Sequence, residues 1–339
     1  MLEQLERVNQ QKAETGYVYS TILDCWLHEI KDRLKASSYA KYCNIINNHI
    51  RPSMGDMLIK NINSATVKSV VFKKLGVGLQ GNTGSLSEKT VRDILSVIKS
   101  TIRFAIDGAL IPNVNIVLDL PKGYKKNIRI LSKAEQIALE QYLFNDIDIC
   151  KMGVLLSLYT GIRIGELCAL KWCDFDFREN AFSISRTLQR VQCFDSDSAT
   201  KTMVVESSPK SACSIRVIPL PTFIAEELQQ FRPADDDVNF LTGASSHAIE
   251  PRTLQNKFKK YTVESGISVV NFHAIRHTFA TRCVEIGFDI KSLSEILGHS
   301  NVNITLNRYV HPSIDMKRSN MKKLRKLFLL NAINSAPYE

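Results

Sequence analysis

No stretch of this 339-residue sequence approaches the ~20 consecutive apolar residues of a membrane-spanning helix, and residues 1–10 are charged and polar where a secretion signal would need an apolar core. The two absences argue against a helical membrane protein or a secreted one and predict a cytoplasmic chain. Eight cysteines, at 25, 43, 150, 168, 173, 193, 213 and 283, form no C-x-x-C pair, and none stands near two histidines at finger spacing. Neither a structural zinc site nor a disulfide framework is therefore expected, and free thiols are. Internal repeats and low-complexity tracts are missing too. What remains is an ordinary globular composition, 44% hydrophobic, in a chain longer than one core usually fills, so two domains are expected.

Negative charge is also short. The formal net charge is +10, which points to a polyanionic partner without choosing among nucleic acid, ribosome and membrane surface. Its distribution says more: residues 1–126 hold 18 Lys and Arg against 11 Asp and Glu, while the remaining 213 residues hold 26 against 23. The excess of 7 in the first third, against 3 in the rest, marks that third as the basic one.

Apolar spacing then divides the chain. Tyr19, Ile22, Leu23, Trp26 and Leu27 recur at helical spacing, Ser37 or Ser38 offers an N-cap for a second helix, a third follows Ser64, and Ser87 caps a long fourth with Ile94, Leu95, Ile98 and Ile102 on one face. Pro and Gly among lysines near Leu118–Lys126 read as a linker. Beyond it, Ser132 with Glu135 forms a capping-box pattern, and the apolar run from Met152 stops at Thr160 and Gly161. Phe182 with Ile184, and later Ile215 with Val217, alternate as strands do, which predicts a small antiparallel sheet with a hairpin turn near Ser208–Ser211. The expected layout is an N-terminal extension (1–15), a basic helical domain (16–120), a linker (121–127), a second domain (128–315) and a basic, apolar tail (316–339).

Five short motifs carry the chemistry. Thr160–Leu167 sets Arg163 after a glycine break with Glu166 three positions on; Pro209–Ser211 puts Lys210 at the expected turn. His273, Arg276 and His277 share one helix face at i, i+3 and i+4. A zinc helix of the H-E-x-x-H type is disfavoured, because Ala274 stands where its glutamate belongs. Gly298 ends a helix beside His299, with Ser300 or Asn301 capping the next helix, and Tyr309 follows ten residues after that histidine. Taken singly, each is weak.

Their joint order changes the odds. Arg, a turn Lys, H-x-x-R, G-H and Tyr, closing on the pattern L-G-H-x5-T-x3-Y-x-H at Leu297, Gly298, His299, Thr305, Tyr309 and His311, resembles the tyrosine recombinases and phage-type integrases. The resemblance implies a mainly α fold with a small antiparallel sheet, an all-α core-binding domain followed by an α+β catalytic domain. It implies Arg163, Lys210, His273, Arg276, His299 and Tyr309 as the catalytic residues, with Glu166 in support, and a 3′-phosphotyrosyl intermediate.

That set is chemically coherent. Without a metal site, the protein must itself neutralise the oxygens of a scissile phosphodiester, and two guanidinium forks suit the task better than lysine. Tyr309 needs activation because an ordinary phenol is protonated at neutral pH; His273 is the candidate base, Lys210 the candidate acid at the leaving 5′ oxygen, and His299 a hydrogen-bond donor to the phosphate. The phosphotyrosine ester conserves the bond energy, so no nucleotide cofactor is expected. The partner is double-stranded DNA, bound with phosphate contacts at Lys89, Thr90 and Arg92 and at Lys35, Ser38 and Lys41, where helix N-termini also favour anions. A homotetramer on two DNA sites is expected, with accessory DNA-bending or directionality factors and no membrane. Lys317, Arg318 and Lys322–Lys326 precede apolar Leu327–Leu330, which docks either on a neighbouring protomer or back on its own core. A type IB topoisomerase and a non-catalytic DNA-binding regulator are the rival functions, separable by supercoil relaxation without recombinants and by the absence of a covalent adduct.

Overall fold

The computed structural model describes residues 16–75, 86–112, 128–194, 200–208, 212–244 and 248–310, with 317, 318, 321, 322, 324 and 325 of the tail. The expected linker at 121–127, Leu327–Leu330, Lys210 and His311 lie outside the described residues. By its internal contacts the chain forms two units, one of residues 1–126 with 191–203 and one of residues 127–190 with 204–339.

The first unit is helical. α1 (Tyr19–Ile30) is followed by α2 (Ala36–Ile45), which runs through a π turn (Ile46–Ile50) into the short α3 (Arg51–Met54); α4 (Ser64–Leu75) and the long α5 (Glu88–Asp107) complete it. The faces read from spacing are the buried ones: Tyr19, Ile22, Leu23, Trp26 and Leu27 from α1 meet Val91, Ile94, Ile98 and Ile102 from α5 in one core. Within it the hydroxyls of Tyr19 and Thr101 satisfy each other at 2.6 Å. Ser87 caps α5 as expected, accepting the Thr90 N–H at 3.1 Å. The start of α2 differs. Lys35 is already at the cap position, and its carbonyl accepts the N–H groups of Ser38 and Tyr39 at 2.8 and 3.1 Å, so Ser37 and Ser38 fall inside the first turn and neither caps it.

The second unit is α+β. α6 (Lys133–Phe144) opens on the capping box, with Glu135 N–H to Ser132 Oγ at 3.2 Å and Ser132 N–H to Glu135 Oε2 at 2.8 Å. α7 (Ile149–Thr160) is buried along most of its length and ends at Gly161, whose φ of +67° is left-handed. A Cβ there would lie 2.4 Å from Phe279 Cδ1 and 2.9 Å from Leu297 Cδ2, so glycine serves both the turn and the close packing. After α8 (Ile164–Ala169), strands β1 (Phe175–Asp176), β2 (Ala181–Ile184) and β5 (Arg216–Pro219) make an antiparallel sheet in the order β1-β2-β5, with Phe182 opposite Ile218. β3 (Thr187–Gln192) and β4 (Thr202–Ser207) pair as a separate ribbon. Helices α9 (Thr222–Gln229), α10 (Pro251–Glu264), α11 (His273–Glu285), α12 (Ile290–Leu297) and α13 (Val302–Tyr309) follow. One large core gathers Leu155, Leu167, Trp172, Phe182, Phe240, Phe258 and Ile275, and a smaller one under the last three helices gathers Ala280, Leu293, Leu297 and Tyr309.

The sheet corrects two expectations. β4 pairs with β3 and β5 with β2, so β4 and β5 are not the paired strands of the expected hairpin, and residues 209–211 of its turn lie outside the described residues. Ile215 and Val217 alternate as expected but point outward, 57% and 64% exposed, while Ile218 is buried. The strand is turned by Arg216, whose side chain takes the inward position because a buried carboxylate waits there. In outline the fold is the expected one, mainly α with small antiparallel sheets and a helical unit ahead of an α+β unit.

Candidate active site

The Gly161 break releases α7 and sets Arg163, in extended backbone, at the start of α8. Glu166, one turn on and only 3% exposed, accepts the Arg163 backbone N–H at 3.0 Å and its Nη1 at 2.6 Å. The same carboxylate accepts Arg216 Nη2 at 2.9 Å, and Arg216 goes on to donate through Nε to the Ile296 carbonyl at 2.6 Å and through Nη1 to Ser214 at 2.9 Å. Arg163 Nη2 reaches the Gly298 carbonyl at 3.2 Å. Arg276, 2% exposed on α11, donates to the carbonyls of Gly161 at 2.8 Å and Leu297 at 2.7 Å. Two helix C-termini thus supply the acceptors that hold the arginines in place.

Those helix ends are fixed by their own sequence. Asp289 caps α12 through the Ser292 N–H at 2.7 Å, Gly298 ends it at φ +62°, and Asn301 caps α13 through the Asn303 N–H at 2.8 Å. His299 is pinned on the connection between them, its Nδ1 2.8 Å from Thr305 Oγ1. Its ring lies parallel to that of Tyr309, centroids 6.5 Å apart. Tyr309 ends α13 and is 6% exposed; its hydroxyl is 2.7 Å from His277 Nδ1, and Arg308 precedes it on the helix. His277 in turn meets His273 edge to face at 4.5 Å.

Arg163, Arg216, Arg276 and Arg308 all act on His299, while the buried Glu166 carboxylate pairs with Arg163 and Arg216, an excess of cation that suits an anion. Burial, opposed and outweighed by the Arg216 hydrogen bond and the charges of Arg216 and Arg163, leaves the Glu166 carboxyl below its ordinary range. Burial, then the charge of Arg163, lowers Arg276. Desolvation and the neighbouring arginines lower the three histidines, His277 to about 4 and His299 to about 3, so these rings are neutral at pH 7. His273, the most open of them, moves in the same direction. Burial raises Tyr309, and Arg276 and Arg308 pull it back only in part.

Arg163, Glu166, His273, Arg276, His299 and Tyr309, named from sequence, are thus neighbours. Sequence reasoning passed over three residues at this place. His277 was seen on the face of His273 but given no task; Arg308 adjoins the tyrosine; Arg216 carried no signal, being one arginine in a strand. In the first unit, Lys35 precedes α2 and Ser38 and Lys41 lie along it, while Lys89, Thr90 and Arg92 lie in the first turns of α5. Lys41 pairs with Asp93 at 2.9 Å, and Arg92 Nε with Glu88 at 2.8 Å. Among the described residues, no group of three or more His, Cys, Asp or Glu is arranged to hold a metal ion, and no helix is long and apolar enough to cross a membrane.

Comparison with known proteins agrees with this geometry. Residues 126–315 match the phage integrase family, and residues 18–75 match the phage integrase N-terminal SAM-like domain. A XerC-like tyrosine recombinase of Caldanaerobacter subterraneus subsp. tengcongensis is 28% identical over 337 residues, 91% of this chain and 83% of its own. The integrase of the Tn1549 transposon, solved in complex with transposon right-end DNA, shares the fold with a TM-score of 0.71 at 21% identity, over 91% of this chain and 100% of the other. A lambda integrase tetramer bound to a Holliday junction has a TM-score of 0.63 at 15% identity, over 89% of this chain and 80% of the other. With the integrase match alone spanning more than half of its length, the chain belongs to the phage integrase family and is a tyrosine-type site-specific recombinase.

Proposed function

We propose that this recombinase breaks and rejoins duplex DNA through Tyr309, for the integration or excision of a mobile element. The observation that carries the reading is the convergence of Arg163 and Arg276, each anchored on backbone carbonyls from the far side of the chain, at the end of the helix that bears a buried tyrosine hydroxyl. Each guanidinium has five N–H donors, and the bonds described above occupy only part of them, leaving the rest for non-bridging phosphate oxygens. His273 and His299 complete the donors, and Lys210 serves the leaving oxygen. The Tyr309 oxygen bonds to phosphorus, the P–O5′ bond breaks, and the 5′ oxygen leaves with a proton from Lys210. A 5′ hydroxyl of another strand reverses the step, so the strand is resealed without an external energy source.

The helical unit, with Lys35, Ser38, Lys41, Lys89, Thr90 and Arg92, contributes phosphate contacts that position the duplex, with the salt dependence such contacts bring. The lambda integrase tetramer on a Holliday junction supports a homotetramer holding two sites. The protein works in the cytoplasm, on the nucleoid, with accessory factors setting direction.

The test is a nicked duplex taken from the DNA flanking the gene. Cleavage next to the nick releases a short strand and traps the adduct, which peptide mapping assigns to Tyr309. Tyr309→Phe should bind the same duplex and form no adduct; strand exchange by that variant ends the proposal.

A further inference from the structure

We propose that His277 is the base that accepts the Tyr309 proton as the phosphotyrosyl bond forms. The inference rests on Tyr309 being the nucleophile. Its starting point is geometric: the hydroxyl lies 2.7 Å from His277 Nδ1, within the reach a general base needs, and the bond crosses from α11 to α13. His273, which the sequence pattern favoured for this task, meets the His277 ring edge to face.

The surroundings favour acceptance. The positive charges of Arg276 and Arg308 partly offset the burial that keeps the proton on the Tyr309 hydroxyl. Nδ1 of a neutral imidazole is an acceptor for that proton when Nε2 carries the hydrogen. The charged and titratable groups facing His277 are His273 and Arg276 on its own helix and Arg308 and Tyr309 on α13; burial first, then the charges of His273, Arg308 and Arg276, keep the ring neutral at pH 7. A phosphodiester arriving between the arginines brings a negative charge. That charge raises the affinity of the ring for a proton when the phenol must release one.

The step balances. The Oη–P bond forms from a phenolate lone pair, the P–O5′ bond breaks toward oxygen, the phenol proton passes to His277 Nδ1, and Lys210 protonates the departing 5′ oxygen. On resealing, imidazolium at position 277 returns its proton to the leaving Tyr309 oxygen. Acid and base are then different residues on opposite sides of the phosphorus.

Single-turnover cleavage of the nicked flanking duplex by the full chain tests this. His277→Gln keeps a hydrogen-bonding side chain without a basic nitrogen, and is expected to bind the duplex as the wild type does while cleaving roughly 10²–10⁴-fold more slowly. His277→Ala is expected to be equally slow and to recover with added imidazole, in proportion to its free-base fraction. A Gln variant that cleaves at the wild-type rate, or a slow Ala variant indifferent to imidazole, overturns the inference and leaves Tyr309 as nucleophile intact. Wild-type protein whose adduct maps to another residue overturns both.

Discussion

Arg216 closes over Gly298: a Cβ added at position 298 would come within 2.9 Å of the Arg216 Nη1 and 3.1 Å of its Cζ. The contact ties strand β5 to the connection that carries His299. Gly298→Ala meets a left-handed backbone as well as this guanidinium, so it is expected to destabilise the protein by more than about 1 kcal/mol. It should also slow cleavage more than it weakens DNA binding, because His299 and the Arg163 anchor move with the turn. Thermal unfolding and single-turnover cleavage together check both parts; an alanine variant matching wild type in both would show that the turn tolerates the shift.

Glu166 is the shared counter-ion of Arg163 and Arg216. Removing its charge in Glu166→Gln leaves the buried Arg216 uncompensated, which costs about 3–5 kcal/mol in comparable buried pairs. Because the deficit is one of negative charge, inorganic phosphate or sulfate should restore much of the lost melting temperature, more in the variant than in the wild type. Equal anion effects on both proteins would argue that the pocket is not an anion site.

Arg276 spans two carbonyls with its two Nη atoms. A lysine carries its charge on one nitrogen and cannot bridge both while also meeting a phosphate. Arg276→Lys should lower the cleavage rate roughly 10²–10³-fold, the effect of losing one preorganised donor, with half-saturating DNA little changed. A larger loss of binding than of rate would make the residue a ground-state contact.

The histidines give opposite pH signatures to free and bound protein. His277 and His299 are lowered from the ordinary 6.5 to about 4 and about 3, so their contribution to stability is complete above 6.5 and is lost as pH falls toward those values. Melting temperature should therefore drop between pH 6.5 and 4. A bound phosphate raises the same groups, so DNA binding takes up protons and tightens as pH falls below 6.5, while at pH 7 and above His277 stays neutral and keeps its accepting nitrogen. Calorimetry in buffers of different ionisation enthalpy reads the proton uptake, and proton release on binding would contradict the site.

Local signals were legible where the physics is local. Ser87, the Ser132 and Glu135 pair, Gly161, Gly298 and Asn301 each act within a few residues, and each sits where the sequence put it. Arg163, His273, Arg276, His299 and Tyr309 were named by their order, which carries the family resemblance more than any property of a single residue does. Arg216 was missed because the side a strand presents depends on what waits there: its partner carboxylate lies 50 residues back, and Ile215 and Val217 beside it imitate a core face. His277 was passed over for a related reason. Spacing put it on one face with His273, but only the placement of α13 decides which of the two meets the tyrosine. Ser37 and Ser38 show the limit even for caps, since a helix that starts two or three residues early turns two candidate caps into ordinary first-turn positions.

The anchoring of Arg276 on Gly161 spans 115 residues of sequence, and that of Arg163 on Gly298 spans 135. Contacts this distant form late, after loop closure has been overcome. A nascent polypeptide on the ribosome carries Arg163 and Glu166 well before it has the Gly298 carbonyl that steadies Arg163, or Arg276, or the tyrosine itself. Cleavage as proposed therefore has to wait until α13 has emerged and docked.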